Sequence, residues 1–183
     1  MTIALDQQAF NTLYSLAHKL PLLDGLFIFA AKYLFWLIIV AVFVSLFRKK
    51  NWNNSLSVGK NRFQYFSLGL IAFLLSRAVA TNIIQSFFNS PRPFVALGID
   101  PLVNHAAANS FPSGHMASLM PIVLTLFLIN PKAGRWGIFL TLVVGLARVI
   151  AGLHWPSDIL AGILIGSLSF WIIAFVFRRQ RLI

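Results

Sequence analysis

The sequence has no cysteine and few acidic residues. Its 183 residues include four Asp plus Glu against fifteen Lys plus Arg, and only 10% are charged. The absence of cysteine excludes disulfides and thiolate metal sites, and it leaves the redox compartment undecided. Hydrophobic residues make up 58% of the chain, too large a share for a soluble protein of this size. The composition therefore predicts that a lipid bilayer is the solvent.

Most basic residues lie in clusters at the ends of long apolar runs. A net charge of +11 is compatible with nucleic-acid binding, but that function needs basic and exposed aromatic side chains on one folded face. Here the aromatic residues lie within the apolar runs. We therefore interpret the clusters as topology anchors that contact anionic lipid headgroups, and we expect no nucleic-acid partner. The clusters are Arg48, Lys49 and Lys50; Lys60 and Arg62; Lys132 and Arg135; and Arg178, Arg179 and Arg181.

The apolar runs are long enough to cross a membrane. A helix needs about twenty residues to cross roughly 30 Å of hydrocarbon. The preceding segment, residues 1–22, is amphipathic, and we expect a helix there that lies flat at the interface. The sequence predicts a single all-α membrane domain over residues 1–183, a helical bundle without internal repeats or a cleavable signal. The five predicted spans are residues 24–47, 63–88, 114–130, 135–152 and 156–177.

The positive-inside rule orients these spans. It places the 48–62 loop, the 131–135 turn and the C-terminus in the cytoplasm. The N-terminus, the 89–113 loop and the 153–155 turn then lie outside. The 89–113 loop is the longest connection, and long ordered loops usually carry function.

Three groups that favour an anion converge on the outer side in this topology. Arg92 follows the second span, Ser113 and Gly114 open the third, and Arg148 lies near the outer end of the fourth. Arginine binds phosphate through a planar fork of N–H groups, and glycine at a helix start lets an anion approach the backbone. Each group alone is as well explained by a snorkelling side chain or an ordinary helix start. Together they predict a phosphate site.

Two histidines and an aspartate lie on the same side. Neutral His154 is a competent nucleophile, Asp158 four residues later can hold its tautomer, and His115 can protonate a departing oxygen. One alternative is an interfacial histidine beside a helix-start acid. Another is a metal site of two histidines and one carboxylate, which Arg92 and Arg148 disfavour because they would repel a divalent cation.

Charged residues also lie inside two spans. Lys32 and Arg77 would lie about 12 to 17 Å below the outer surface, where charges usually face a polar interior. Arg77, Thr81 and Gln85 share one helical face by their spacing of four. We predict that this face and Lys32 line a polar cavity for a second phosphate, with structural hydrogen bonds as the alternative. His105, in the outer loop, is either a solvated histidine or a contact of that phosphate.

These motifs resemble the signature of the type 2 phosphatidic acid phosphatase superfamily of membrane lipid phosphatases. The resemblance implies a phosphohistidine mechanism without metal or cofactor, with His154, His115 and Asp158 in the roles given above. It also implies a site that faces the periplasm or cell exterior. The matching residues are Arg92 and Pro93, Pro-Ser-Gly-His at 112–115, and Arg148, His154 and Asp158 at the family spacing.

Two positions depart from the family pattern, since Gln85 replaces a lysine and Ala147 replaces a serine. The stretches "HAAANSFPSGH" and "PRPF" are similar to the bacitracin-resistance branch, whose members often lack that lysine. This likeness implies a bacterial cytoplasmic-membrane enzyme that hydrolyses the polyprenyl lipid undecaprenyl diphosphate to undecaprenyl phosphate for peptidoglycan synthesis. The alternatives are a phosphatase or phosphotransferase for another lipid phosphate, such as phosphatidate or phosphatidylglycerol phosphate, and a non-enzymatic lipid-phosphate transporter.

Overall fold

A computed structural model describes residues 4–47 and 60–183, so the basic residues 48–50 and most of the 48–62 loop lie outside the described residues. Within these ranges the regular elements are all helical, which confirms the predicted fold class. A π-helical segment, Leu74–Ala80, joins α4 to α5. The helices are α1 (Ala4–Tyr14), α2 (Pro21–Lys32), α3 (Leu34–Phe47), α4 (Lys60–Phe73), α5 (Thr81–Phe87), α6 (Pro93–Ala96), α7 (Gly114–Ile129), α8 (Pro131–Ile150) and α9 (Pro156–Arg179).

Several of these helices are long and apolar enough to cross a bilayer, and the chain is an integral membrane protein. In the described ranges, three helical stretches meet this criterion alone: Arg62–Phe87, Pro131–Ile150 and Pro156–Arg179. Helices α2 and α3 meet it as a pair that is bent by 48°. The remaining predicted span is α7, which has 16 residues. At 1.5 Å per residue it is about 24 Å long, shorter than the roughly 30 Å hydrocarbon core.

The short helix α7 is the centre of the bundle. Ten of its 16 residues are buried, and α3, α4, α8 and α9 all pack around it. Helix α9 comes close because Gly162 and Gly166 face α7. A Cβ atom at Gly162 would lie 2.5 Å from the Ser113 carbonyl oxygen, and one at Gly166 would lie 2.7 Å from Met120 Cβ. In lipid there is no hydrophobic driving force for helices to associate, so they associate through close packing, which small residues permit.

The bend between α2 and α3 coincides with a redirected carbonyl group. The Ala31 carbonyl, in the last turn of α2, accepts a hydrogen bond from Arg148 Nη1 at 3.2 Å. A side chain that takes over a helical carbonyl in this way is a known cause of kinks. A hydrogen bond at the bend therefore links α2 to Arg148 of α8.

The π-helical segment corrects one sequence-based prediction. The Thr81 N–H bonds to the carbonyl of Ser76, five residues earlier, and the Thr81 side chain also donates to that carbonyl at 2.8 Å. Thr81 is fully buried, whereas Arg77 and Gln85 line the cavity described below. The predicted cavity-lining face therefore includes Arg77 and Gln85 but not Thr81, whose side chain is used in the hydrogen bond to Ser76.

Helix α1 is docked on the bundle end at which α8 finishes and α9 begins, which we call the site end. Its Phe10 is completely buried, with its ring centroid 5.1 Å from that of Trp155. The placement of α1 flat at a membrane interface stays a prediction, as do the limits of a single domain. What the contacts establish is that α1 packs on protein.

We predict that Gly162→Ala destabilises the bundle by about 1–3 kcal/mol, the usual cost of overpacking. The new methyl group would overlap the Ser113 carbonyl and Met116 Cβ, which lie 2.5 and 2.8 Å from its position. The measurement is the thermal midpoint of the purified protein in detergent. Gly25→Ala is the matched control, because a Cβ there meets nothing within 4 Å. Equal midpoints for the two variants would contradict this account of the α7–α9 contact.

Candidate active site

A polar cavity of about 420 Å³ lies at the site end of the bundle. Most of the residues predicted for the site line it, although they come from separate parts of the chain. Three predicted residues do not line it, namely Ser113, Asp158 and Lys32. Those that do are Arg77, Gln85, Arg92, His105, Gly114, His115, Arg148 and His154.

His154 lies in the turn between α8 and α9, where Asp158 orients its ring. The two atoms His154 Nδ1 and Asp158 Oδ2 are 3.3 Å apart. Asp158 is the third residue of α9, and its Oδ2 also accepts from the Trp155 backbone N–H at 2.7 Å and from the Ser110 hydroxyl. An acceptor at Nδ1 favours the tautomer in which Nδ1 carries the proton. The lone pair is then on Nε2, which faces the cavity.

Two guanidinium groups lie beside that nitrogen. Arg92 Nη1 is 3.3 Å and Arg148 Nη2 is 3.4 Å from His154 Nε2. Burial lowers the pKa of His154 well below its ordinary value, and the charges of Arg148 and Arg92 lower it further. The ring is therefore neutral, and its contact with Asp158 is a hydrogen bond and not an ion pair. A neutral imidazole with its lone pair between two cations is arranged to attack an anionic electrophile.

Both guanidinium groups are buried and are held by backbone carbonyls. Arg92 Nη1 donates to the Leu153 carbonyl at 2.8 Å, and Arg148 Nη1 donates to the Ala31 carbonyl at 3.2 Å. Burial lowers the pKa of Arg92, and the charge of Asp158 opposes that shift. Among the described residues, neither Nε atom has a hydrogen-bond partner. Buried cations with unused donors are costly unless an anion pairs with them, so the site is built for an anion such as phosphate.

The first turn of α7 forms another wall. His115 Nε2 lies 3.2 Å from Arg148 Nη1, and the ring of Phe35 packs against the His115 ring with centroids 4.5 Å apart. Ser113 is fully buried, its backbone N–H donates to the Asp158 carbonyl at 3.0 Å, and its hydroxyl has no partner among the described residues. Gly114 lines the cavity. The positive end of the α7 dipole therefore adds to the field of the arginines.

The alternative of a metal site requires at least three ligands to converge. Across the described ranges, no group of three or more His, Cys, Asp or Glu side chains is arranged to hold a metal ion. His154 uses Nδ1 on Asp158, and both His154 and His115 direct Nε2 at Arg148. The donors present fit an oxyanion better than a cation.

Residues 65–182, more than half of the chain, match the PAP2 superfamily. The chain belongs to this superfamily. It is the type 2 phosphatidic acid phosphatase family that the motifs indicate, so the predicted resemblance is confirmed.

Individual PAP2 relatives differ in the activity their names give. The protein named undecaprenyl-diphosphatase BcrC, of Bacillus subtilis (strain 168), is 29% identical over 175 residues, which cover 96% of this chain and 83% of the relative. The bacitracin transport permease protein BcrC of Bacillus licheniformis is 28% identical over 172 residues, covering 91% and 80%. A lipid A 1-phosphatase of Rhizobium etli is 32% identical over 111 residues, covering 61% and 46%. The BcrC relatives support the predicted bacitracin-resistance branch.

A solved PAP2 structure has the same fold. The crystal structure of Aquifex aeolicus LpxE superposes with a TM-score of 0.71 at 25% sequence identity, covering 94% of this chain and 96% of that one. The likeness therefore extends over nearly the whole helical arrangement, including the helices that precede the residues matched to the family.

Gln85 and Ala147, the two departures from the expected motif, both contact residues that hold the site together. Gln85, at the lysine position, lines the cavity and donates from Nε2 to the Pro112 carbonyl at 3.3 Å. It braces the start of the Pro-Ser-Gly-His motif and brings no charge. Ala147, at the serine position, is buried in an apolar cluster with Ala31 and Leu153. Leu153 and Ala31 supply the carbonyls that accept hydrogen bonds from Arg92 and Arg148. Ala147 therefore packs against the residues that hold these two arginines.

The residues predicted for a second phosphate separate into two groups. Arg77 lines the cavity next to Gly114, where a Cβ would lie 3.0 Å from Arg77 Nε. His105 also lines it, and burial, followed by the charge of Arg92, lowers the pKa of His105. Lys32 is exposed and is not among the lining residues; its ammonium lies 5.3 Å from the centroid of the Tyr33 ring. The structure therefore does not place Lys32 with the others.

Ser110 is a site residue that the sequence reasoning missed. It is fully buried, and its Oγ donates to Asp158 Oδ2 and lies 3.3 Å from His154 Nδ1. It therefore contacts both members of the pair. The sequence did contain a signal for Ser110, because this serine lies in "SFPSGH", two residues before the Pro112 that begins the Pro-Ser-Gly-His motif.

We predict that Ser110→Ala lowers kcat for phosphate release by roughly 10- to 100-fold, because small misplacements of a nucleophile are costly. KM is expected to stay the same, since Ser110 does not line the cavity. The measurement is steady-state kinetics in detergent, with Ser110→Thr as the conservative variant. Ser86→Ala is the control, because the hydroxyl of this exposed serine donates only within its own helix, to the Ile83 carbonyl. Unchanged kcat in Ser110→Ala would contradict a positioning role.

Proposed function

We propose that the protein is an undecaprenyl-diphosphate phosphatase, which releases inorganic phosphate and leaves undecaprenyl phosphate. The observation that carries this proposal is the position of His154 Nε2 between the guanidinium groups of Arg92 and Arg148, with Asp158 behind the ring. Membership of the PAP2 superfamily supports a phosphatase. The relative named undecaprenyl-diphosphatase, matched along most of both chains, supports the substrate.

The proposed reaction has two steps. His154 Nε2 attacks the terminal phosphorus, a new N–P bond forms, and the bond from that phosphorus to the bridging oxygen breaks. A bound diphosphate places negative charge against His115, which favours a protonated ring that gives its proton to the departing lipid phosphate. Water, deprotonated by the now neutral His115, then attacks the phosphohistidine. Inorganic phosphate leaves, and His154 regains its lone pair.

The arginines and the start of α7 stabilise the charge that develops on the equatorial phosphate oxygens. The unused Nε donors of Arg92 and Arg148 and the hydroxyl of Ser113 are already buried and fixed before substrate arrives. Such preorganised donors are usually the largest contribution to catalysis. No step in this scheme requires a metal ion.

An apolar groove supports a substrate with a long hydrocarbon tail. It has a volume of about 230 Å³ and is formed by α3, α4 and α7. Ile39 and Ile122 line it, one helical turn beyond Phe35 and Ser118, which line the polar cavity. A polar headgroup site that continues into an apolar groove on the same helices suits a lipid phosphate.

Basic residues at the opposite end of the bundle support a site that faces the periplasm or exterior. Helix α8 begins near Lys132 and Arg135 and ends at the site with Arg148, whereas α9 begins at the site and ends with Arg178 and Arg179. Since basic residues accumulate on the cytoplasmic side, this arrangement supports a cavity on the other side of a bacterial cytoplasmic membrane.

Arg77 supports a diphosphate over a monophosphate. It is a third guanidinium group in the cavity, and its Nη1 donates to Oδ1 of the neutral Asn82 at 3.1 Å. Its Nε lies against Gly114, next to the phosphate-binding turn of α7. We propose that Arg77 contacts the phosphate that stays on the lipid.

We predict that Arg77→Gln raises KM for undecaprenyl diphosphate roughly 10- to 100-fold, since a charge-assisted hydrogen bond contributes about 1.5–3 kcal/mol. KM for the monophosphate lipid phosphatidate is expected to change little. Asn82→Ala is the control, because it removes the neighbour of Arg77 and keeps the charge. If Arg77→Gln left stability and both KM values unchanged, or raised both equally, the second-phosphate assignment would be wrong.

A transport function is the second candidate, because one BcrC relative is named a bacitracin transport permease. A protein that only carried lipid phosphates would use the arginines to bind headgroups and would need no nucleophile. Another lipid phosphate as substrate, or transfer of the phosphate to a lipid acceptor, is the alternative within enzymes, and the lipid A 1-phosphatase relative shows that PAP2 substrates vary.

We predict that His154→Ala reduces phosphate release by roughly three orders of magnitude or more, the scale on which loss of a nucleophile acts. Binding of radiolabelled undecaprenyl diphosphate should persist, because both arginines remain. The assay is phosphate release by the purified protein with and without a chelator, and turnover should not depend on the chelator.

A panel of undecaprenyl diphosphate, phosphatidate, phosphatidylglycerol phosphate and diacylglycerol diphosphate tests the substrate. Equal rates on all four would defeat the undecaprenyl assignment and leave the phosphatase standing. Headgroup binding without any phosphate release by the unmodified protein would instead favour the transport function.

A further inference from the structure

Helix α1 presents one continuous face to the site end of the bundle. Asp6, Phe10 and Tyr14 follow one another at intervals of four, the spacing that aligns side chains along a helix. His18 follows in the turn after the helix. Tyr14 donates its hydroxyl to the Asp100 carbonyl at 2.7 Å, and His18 Nε2 lies 3.1 Å from the same oxygen. One end of this face therefore binds the 89–113 loop. The other end reaches the turn that carries His154.

Asp6 caps the start of α9 from another helix. Its Oδ1 accepts from the Ser157 backbone N–H at 2.9 Å, and its Oδ2 accepts from the Ser157 hydroxyl at 2.6 Å. The first N–H groups of a helix have no partner within the helix, and a side-chain oxygen at the N-cap position usually accepts from one of them. The N-cap residue of α9 is Trp155, which has no side-chain oxygen. Asp6 supplies the missing acceptor.

The capped turn holds the orienting carboxylate. Ser157 directly precedes Asp158, whose Oδ2 accepts from the Trp155 backbone N–H. Phe10 packs against the Trp155 ring, and the indole Nε1 donates to the Pro91 carbonyl at 3.0 Å, next to Arg92. Contacts from α1 therefore act on residues at both sides of the pair formed by His154 and Asp158.

We infer that α1 is a positioning element for the nucleophile and that Asp6 is its positioning residue. By capping α9, Asp6 fixes the direction of the first turn, hence the place of Asp158 Oδ2 and, through it, the His154 ring. Asp6 does not line the polar cavity and touches no reacting atom. This inference rests on the proposed function, and it gives α1 a role that anchoring at a membrane interface does not.

The competing role is anchoring alone, which would depend on the apolar side chains that α1 turns away from the protein. Leu5 is 73% exposed and Leu16, just after the helix, is 46% exposed. A variant of Leu5 changes that surface and leaves the contacts of Asp6 in place. The two roles therefore depend on different side chains of one helix.

The experiment compares Asp6→Ala, Asp6→Asn, Ser157→Ala and Leu5→Ala in the purified full-length protein. We expect Asp6→Ala to lower kcat for phosphate release roughly tenfold, because the His154 ring is no longer held in its orientation. KM should be unchanged, because the phosphate contacts remain. Asp6→Asn keeps one acceptor oxygen and should fall between Asp6→Ala and the unmodified protein. Leu5→Ala should leave kcat unchanged.

Two further readouts identify the route of the effect. The double variant of Asp6 and Ser157 should lose less kcat than the product of the single losses, since the two side chains act as one unit. Hydrogen exchange of the backbone amides in residues 153–160 should be faster in Asp6→Ala than in Leu5→Ala. The exchange measurement needs no turnover, so it tests the contact even if no phosphate is released from any lipid.

Each outcome decides the inference. Unchanged kcat and unchanged amide exchange in Asp6→Ala would overturn it, and so would an equal loss of kcat in Leu5→Ala. An increased KM with unchanged kcat would also overturn it, because it would place Asp6 in binding. If the unmodified protein releases no phosphate, the proposed function fails, whereas faster exchange in Asp6→Ala would still support the positioning of the turn.

Discussion

The buried contact between one neutral imidazole and two guanidinium groups is the constraint on which the site end depends. Like charges are costly to bury together, and Arg92 and Arg148 are both almost fully buried, with no acidic side chain of the described residues in direct contact. Hydrogen bonds to backbone carbonyls offset part of the cost of burying these two charges. The Ala31 carbonyl becomes available where α2 bends into α3, and the Leu153 carbonyl belongs to the turn that carries His154. The bend and the turn are thus part of the anion site.

Close helix packing makes this arrangement possible. The glycines of α9 let the start of α7 approach so nearly that the Ser113 N–H bonds to the Asp158 carbonyl at 3.0 Å. Ser113 opens α7 and Asp158 orients His154, so one backbone hydrogen bond fixes the start of α7 relative to the orienting pair. A short α7, buried among its neighbours, can begin inside the protein at the level of the site.

Span topology and separated motifs predicted that Arg92, Gly114 and Arg148 converge, and local spacing accounts for another part of the site. His154 and Asp158 are four residues apart across a helix start, so their contact follows from the geometry of one turn, and the helical fold follows from long apolar runs. Predictions that rest on spacing or depth alone were less secure. Thr81 shares the spacing of Arg77 and Gln85, but its side chain is fully buried and bonds to the Ser76 carbonyl. Lys32 was grouped with Arg77 by depth alone, and depth does not specify which side of a helix faces the cavity.

Ser110 and Asp6 illustrate the remaining difference. Neither belongs to the motifs that predict the site, and each contacts a partner 48 or 151 residues away. The sequence by itself determined that the chain is helical and membrane-embedded, and it predicted which histidines, arginines and aspartate to expect in a phosphate site. Only the tertiary structure decided which polar groups meet, that α1 caps α9, and that Thr81 and Lys32 do not line the cavity. The physical reason is that hydrogen bonds and close packing act over a few ångströms in space, whereas sequence patterns report only what lies within a few helical turns.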